Sequence, residues 1–116
     1  MRGIEGEQVL LRIILSESPM HGHRPLFRRL LDLLREEGLA GATLLMGIAG
    51  FGHDHQIHTI NIEAAAQGLP IVIEVVDTPE HVERVLPKVE ALMVGGLIMI
   101  ERAHVIRYAN TRESKP

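Results

Sequence analysis

Three segments of the chain place alternate side chains on opposite faces with a period of two residues, the pattern of a β-strand. They cover residues 8–15, 42–48 and 70–77. The third segment has the strongest pattern, since it is rich in β-branched residues and carries Ile71, Ile73 and Val75 on one face. A fourth strand is predicted over residues 97–108, directly after two glycines.

Two further segments have apolar residues at helical spacing. The first follows Pro25, which suits the first position of a helix, and ends at Gly38. The second begins at Thr78, a good capping residue, with Pro79 next at the first helical position, and it ends before Gly95. A proline in the interior of this segment, at position 87, predicts a kink or a division of the second helix.

The resulting order of elements, β-α-β-β-α-β, predicts an α+β protein with the ferredoxin-like sandwich fold, in which a four-stranded antiparallel sheet carries two helices on one face. We expect a single domain over residues 1–108 and a polar C-terminal tail over residues 109–116. The strands are apolar on both faces, apart from single charges such as Arg12, Glu74 and Glu101 or Arg102. A solvated face does not have this pattern, so we expect another subunit's sheet to cover it.

Composition narrows the possible classes of protein. The 116 residues include no cysteine, which excludes disulfides and thiolate zinc sites and suits a cytoplasmic protein. Twelve basic against fifteen acidic side chains, with only three aromatic residues, argue against a nucleic-acid partner. The first residues lack the apolar core of a signal peptide, and an apolar content of 46% favours an oligomer.

The predicted topology brings three loops to one edge of the sheet, namely residues 16–24, residues 49–69 and the turn at Gly95 and Gly96. A ligand site is expected there. Gly50, Phe51 and Gly52 in the long loop combine close backbone approach with one aromatic ring, and the glycine turn offers N–H groups to a phosphate. The alternative is that these glycines serve ordinary turns.

Basic side chains at the start of the first helix, Arg24, Arg28 and Arg29, indicate that an anion such as a phosphate or carboxylate binds near them. The alternative is a solvated helix face on which Arg28 and Arg29 pair with Asp32.

Five of the seven histidines also fall in these loops. His53, His55 and His58 could hold a divalent metal, with His21 and His23 as further donors. Solvated or hydrogen-bonding histidines are the alternative. The sequence has no serine in a strained turn of the kind that a catalytic triad needs, so we expect that the protein is not an enzyme. The alternative of a small hydrolase or transferase rests only on scattered histidines and glutamates.

Several segments resemble the small PII-like proteins grouped as domain of unknown function 190. The segments that carry the resemblance are residues 11–13, 21–26, 38–43, 47–52, 57–59, 69–74 and 105–108. The resemblance implies a ferredoxin-like subunit that assembles as a homotrimer, similar to nitrogen-regulatory PII signalling proteins. It implies no required cofactor.

The ligand class implied by the resemblance is an adenine nucleotide (AMP, ADP or ATP) bound in clefts between subunits. By position, Gly50, Phe51, Gly52, His58 and Thr59 would belong to the loop that contacts a target, and Gly95 and Gly96 to the turn facing it. Similar family members are associated with fluoride-efflux channels, which implies a membrane transporter or channel as a partner. Copper-tolerance trimers are similar in subunit fold, which keeps the histidine metal site as the alternative function.

Overall fold

The computed structural model describes residues 3–16, 20–21, 24–52, 54–59 and 69–108. Its elements are β1 (Gly6–Ser16), β2 (Met20–His21), β3 (Arg24–Pro25), α1 (Leu26–Glu36), β4 (Thr43–Met46), β5 (Ala49–Gly50), β6 (His58–Thr59), β7 (Pro70–Asp77), α2 (Pro79–Leu92) and β8 (Leu97–Val105). An antiparallel sheet has the strand order β4-β7-β1-β8, and two separate two-stranded ladders join β2 to β3 and β5 to β6. The predicted tail, residues 109–116, lies outside the described residues.

One face of the sheet forms the hydrophobic core with the two helices. Because neighbouring strands align residue by residue, Leu11 lies opposite Val75 and Ile13 lies opposite Ile73, all four fully or almost fully buried. The helices contribute the other side of the core through Leu26, Leu30, Leu34, Val82, Val85 and Val89. The apolar side chains of the strands therefore pack against those of the helices on one face of the sheet, which confirms the predicted ferredoxin-like sandwich.

The second helix runs from Pro79 to Leu92 as one element, so Pro87 does not divide it, and the alternative of a kink at Pro87 stays a prediction. Proline removes one backbone hydrogen bond and crowds the preceding turn. Pro87 is exposed, whereas Val85 and Val89 on either side of it are fully buried against the core. Packing of the buried side therefore maintains the helix across the lost hydrogen bond.

Several predicted boundaries also differ from those observed. The last strand ends at Val105 instead of residue 108, and β4 is limited to Thr43–Met46. The first helix begins at Leu26, with Pro25 as its cap residue. The loops over residues 16–24 and 49–69 each contain a two-residue ladder, because short stretches of backbone within them pair locally.

The second face of the sheet, called the open face here, carries no helix. Arg12 lies at its centre and pairs with Glu74 at 2.9 Å and with Glu101 at 3.3 Å. The hydrogen bond to Glu74 is the main cause of a raised Arg12 pKa. Apolar side chains that are half-buried or exposed surround this network: Leu10, Ile14, Leu45, Val72, Val76, Leu97 and Met99. The sequence left open whether Glu101 or Arg102 lies on this face. Arg102 lies on the opposite face, so Glu101 is the charged residue of β8 on the open face.

Candidate ligand site at the loop edge

Four strand ends meet at one edge of the sheet. Ser16 at the end of β1 pairs with Pro70 at the start of β7, and Met46 at the end of β4 pairs with Ile71. On the other side of β1, Ile14 pairs with Leu97 at the start of β8. This edge, called the loop edge below, therefore collects the three predicted loops, as the topology required. Because β7 and β8 flank β1, these two strands are about 10 Å apart, two strand spacings.

The turn before β8 packs closely on the end of β1. Gly96 has a backbone φ of 98°, a conformation that residues with a side chain rarely adopt. A Cβ atom at this position would lie 2.5 Å from the carbonyl oxygen of Ile14 and 3.0 Å from the Cε atom of Met93. The chain's own packing therefore requires glycine at position 96.

The segment after β4 turns back as a hairpin, in which Ala49 pairs with Thr59 and Gly50 with His58. Residues 49–59 are called the hairpin below. It is held against the start of β7 by Pro70, whose carbonyl oxygen accepts a hydrogen bond of 2.7 Å from the Gly47 N–H. A Cβ atom at Gly50 would lie 3.0 Å from the Pro70 ring. Glycine at this position thus allows the hairpin to approach the sheet.

Asp54 organises the tip of the hairpin. Its carboxylate accepts a hydrogen bond of 3.0 Å from the Gln56 N–H and contacts the Nε2 atom of His58 at 3.1 Å. The Gln56 N–H, followed by His58, lowers the Asp54 pKa, because both favour the ionised carboxylate. His55 has a φ of 57°, and its ring centroid lies 6.4 Å from that of Phe51.

Three large apolar side chains around the hairpin are exposed to solvent. The exposed fractions are 71% for Ile48, 67% for Phe51 and 73% for Ile57. Single exposed apolar residues are normal, but three within ten residues of chain form a surface suited to contact with another molecule. The described part of the predicted target-contacting loop therefore presents the apolar side chains of Phe51 and Ile57 beside the charged Asp54.

Two other glycines of the predicted site have open space beside them. A Cβ atom added at Gly52 or at Gly95 would have no described atom within 4 Å. Neither has the positive φ found at Gly96. Glycine at positions 52 and 95 is thus not required by contacts with the described residues.

Of the predicted basic residues, Arg24 lies in β3 and Arg28 and Arg29 lie on α1, and the guanidinium groups of Arg24 and Arg28 both contact the carboxylate of Asp32. Arg24 Nη1 lies 2.6 Å from Asp32, and Arg28 Nε lies 3.4 Å from it. For Arg28 this is the pairing expected in the alternative interpretation of a charged helix face. The structure therefore groups Gly50, Phe51, His58 and Thr59 on the hairpin, while the described ion pairs of the two arginines run along the helix.

Sequence reasoning missed two residues of these clusters. Arg35 also contacts Asp32, at 3.4 Å, and it could have been found because it stands three positions after Asp32 and seven after Arg28 on one helix face. Asp54 could have been found from its spacing of two residues before Gln56 and four before His58, which suits a side-chain-closed turn.

The proposed metal ligands are only partly described. His53 lies outside the described residues, and so does His23. His55 is exposed, and His58 contacts Asp54. Within the part of the chain that the structure describes, no group of three histidine, aspartate or glutamate side chains is placed to hold a metal ion. Metal binding by the three histidines stays a prediction.

Comparison with known proteins places the chain in a family. Residues 8–105 match the model of DUF190, described as uncharacterized ACR. The chain belongs to the DUF190 family. A relative in Aquifex aeolicus, designated a UPF0166 protein, is 35% identical over 97 residues, which cover 84% of this chain and 91% of the relative. The resemblance found in the sequence is thus confirmed.

Solved structures show the fold of this DUF190 member. CPII, a nitrogen regulatory PII-like protein from Thiomonas intermedia K12 bound to ADP, AMP and bicarbonate, superposes with a TM-score of 0.61 at 21% identity, covering 89% of this chain and 97% of CPII. The divalent ion tolerance protein CutA1 from Ehrlichia chaffeensis has a TM-score of 0.57 at 16% identity, covering 96% and 91%. The PII-like fold is therefore confirmed. Among the described residues, no helix is long and apolar enough to cross a membrane.

Proposed function

We propose that this DUF190 protein is a non-enzymatic PII-like regulator that binds an adenine nucleotide at the loop edge and presents residues 49–69 to a protein partner. The observation that carries the proposal is the meeting of three loops at one edge, with open space beside Gly52 and Gly95. Backbone N–H groups of such glycine turns suit a phosphate, and the exposed Phe51 ring offers a face for a base.

The neighbours in fold support this class of ligand. CPII is bound to ADP and AMP, and its superposition covers nearly all of both chains. AMP, ADP and ATP are therefore the ligands to test, with no cofactor required. In the proposed arrangement Arg24 and Arg28 supply cationic groups to the phosphates, and His58, Thr59 and Gly96 form the base of the site.

Ligand binding would act on the hairpin through its contact with the sheet. The hairpin meets β7 at Pro70, beside the end of β1, and the turn of β8 meets the other side of β1 at Ile14. A nucleotide that touches both turns would favour one arrangement of the hairpin over others and so shift its population. The partner would recognise that arrangement, and a membrane transporter or channel is the partner class that we propose.

The open face supports a homotrimer as the functional assembly. It is largely apolar around the Arg12 network, and burial against other subunits would remove this surface from water. Light scattering should give three times the mass of the subunit. Leu10→Glu, which places a charge on the open face, should lower that mass, whereas Ala91→Glu on the exposed side of α2 should not. A monomeric wild-type protein would contradict the trimer.

Calorimetry with AMP, ADP and ATP tests the nucleotide site. We expect saturable binding by the wild-type protein and a loss of affinity in Arg24→Ala and in Gly52→Val, whose new side chain would occupy the open space. The matched control is Arg35→Ala, because Arg35 also pairs with Asp32 but stands at the far end of α1. Equal losses in Arg24→Ala and Arg35→Ala, or no saturable binding of any of the three nucleotides, would contradict the proposed site.

Divalent metal binding is the second candidate function. CutA1, a divalent ion tolerance protein, has the same fold, and His55 and His58 both lie in the hairpin. Calorimetry with copper, zinc and nickel should show binding that is lost when His53, His55 and His58 are replaced together. Binding unaffected by the triple replacement would remove this candidate, and nucleotide binding can be measured independently of it.

A further inference from the structure

A groove runs along α1 on the side where the chain turns back toward β4. It encloses about 410 Å³ and is lined by Arg28, Leu31, Asp32, Leu34, Arg35, Leu39, Ala40, Gly41 and Ala42. Arg28, Leu31, Asp32 and Arg35 are spaced as one stripe of a helix, so the helix forms one wall. The segment over residues 39–42 forms the other wall.

The second wall is held in place by buried hydrogen bonds. The Ala40 N–H donates to the carboxylate of Asp77 at 2.7 Å, and Asp77 is fully buried. The Leu39 N–H donates to the carbonyl oxygen of Leu34 at 3.2 Å, which ties the same wall to α1. The groove is therefore formed before anything binds in it, which lowers the entropy cost of binding.

The groove has a cationic rim, although the net charge of the chain is −3. Three guanidinium groups, those of Arg24, Arg28 and Arg35, share the single carboxylate of Asp32. Asp32 is 17% exposed, whereas the three arginine side chains are 63%, 57% and 76% exposed. Glu36, the next acidic residue of α1, does not line the groove. Of the three arginines only Arg28 and Arg35 line the groove, so its lining residues carry one positive charge in excess of the Asp32 carboxylate, and that carboxylate cannot satisfy all of the guanidinium donors.

The floor of the groove is apolar. Leu34 and Leu39 are buried at its base, and Leu31 is half-buried along the helical wall. A ligand that fits this surface carries carboxylates for the arginine rim and one or two aliphatic side chains for the floor. An acidic peptide segment with interspersed leucines has this chemistry, whereas a nucleotide has no aliphatic group for the floor.

We propose that the groove along α1 is a docking surface for an acidic, leucine-containing peptide segment of a partner protein. The groove shares Arg28 with the proposed nucleotide site, but it extends away from that site to residues 39–42, which precede β4 at the edge opposite the loop edge. The protein would thus have two separate binding surfaces, an apolar hairpin at one end and a cationic groove on the helix layer.

Fluorescence anisotropy with a labelled peptide of alternating glutamate and leucine tests the proposal on the full chain. We expect saturable binding that weakens as salt is added, since the rim charges are exposed. Arg28→Glu and Arg35→Glu should each weaken binding by about tenfold, and a lysine–leucine peptide should not bind. Arg107→Glu, a reversal at an exposed arginine after β8, should leave the affinity unchanged.

Asp32→Asn distinguishes docking from a purely structural role of the cluster. The change removes the carboxylate that competes for the three arginines, so the peptide should bind more tightly, while a structural role predicts only a loss of stability. Amide resonances of Ala40, Gly41 and Ala42 should shift on peptide addition, and those of Gly50 and Gly52 should not.

Three outcomes would overturn the proposal: no saturable binding at low salt, equal weakening by Arg107→Glu, or peptide-induced shifts confined to the hairpin. The proposal would also be overturned if ADP competed with the peptide and Arg35→Glu abolished the binding of both, because the groove would then belong to the nucleotide site. Nucleotide binding that is unchanged in Arg35→Glu leaves the proposed regulator in place whatever the peptide does.

Discussion

The two ends of the sheet are built in opposite ways. At the end where β7 leads into α2, the fully buried Asp77 accepts hydrogen bonds of 2.7 Å from the N–H groups of both Ala40 and Thr78. Thr78 in turn caps α2 by accepting from the His81 N–H at 3.2 Å. At the loop edge, Leu69 and Ile71 on either side of Pro70 are buried apolar residues, whereas the Phe51 and Ile57 side chains of the hairpin face solvent.

The two ends of this small domain thus have different roles, one in stability and the other in binding. One buried carboxylate that joins two chain segments gives a fixed end, because any movement there would leave polar groups unsatisfied in the interior. The loop edge has few such constraints, so its turns can rearrange around a ligand at low cost. Variants at matched positions of the two ends test this difference in stability.

The largest effect is expected from Asp77→Ala. Removal of the carboxylate leaves the buried N–H groups of Ala40 and Thr78 without this acceptor, and the free energy of unfolding should fall by about 2–4 kcal/mol. Urea denaturation measures the change, and Asp77→Asn, which keeps one acceptor oxygen, should cost less. A loss below about 1 kcal/mol for the alanine variant would show that this end is not fixed by Asp77.

A smaller loss is expected from Gly96→Ala. The positive φ and the 2.5 Å approach of a Cβ atom to the Ile14 carbonyl oxygen should destabilise the fold by about 1–3 kcal/mol. Gly95→Ala is the matched control, since open space lies beside that residue, and it should change the free energy of unfolding by less than about 0.5 kcal/mol. Equal effects of the two variants in urea denaturation would contradict the assignment of separate roles to them.

Replacement of the exposed apolar groups of the hairpin should hardly affect stability. Phe51→Ser combined with Ile57→Ser removes side chains that are mostly in water, so the free energy of unfolding should stay within about 0.5 kcal/mol of the wild-type value. Thermal unfolding monitored by circular dichroism provides the measurement. A loss above about 1 kcal/mol would show that these side chains pack on the body of the protein, which would contradict the difference between the two ends of the sheet.

The smallest effect is a local pH dependence at Asp54. Its pKa is lowered from the ordinary value of 3.8 by the Gln56 N–H and by His58. Because the folded-state pKa lies below the unfolded-state value, the hairpin tip is stabilised above pH 3.8 and loses this stabilisation as the pH falls through the lowered pKa. An NMR titration of the Gln56 amide should show a midpoint below 3.8 that is absent in Asp54→Asn. A midpoint at or above 3.8 would contradict this.

Much of the fold could be predicted from local patterns. The buried residues of β7 follow a strict period of two, and Thr78 with Pro79 marks the start of α2 within one residue. Pro87 shows the limit of such rules, since tertiary packing of Val85 and Val89 overrides a local helix breaker. The ladder between β5 and β6 was not predicted either, because two-residue pairings leave no periodic signal.

The candidate site was predictable in place but less so in detail. The strand order alone indicates that three loops share one edge, and the register confirms it through Ser16, Pro70 and Leu97. The sequence could not show which glycines the chain itself requires, since Gly96 and Gly95 are neighbours with the same chemistry. Nor could it show that Arg24 reaches Asp32, eight residues away along the chain.

The four strands of the main sheet, the two helices, their order and their buried faces could thus be read from the sequence, because these follow from side-chain periodicity and local backbone preferences. Tertiary structure alone decided which polar groups of distant segments meet: Arg12 with Glu74 and Glu101, and Ala40 with Asp77. Such contacts depend on distances of a few ångströms between segments far apart in the chain. Only the packed fold sets those distances.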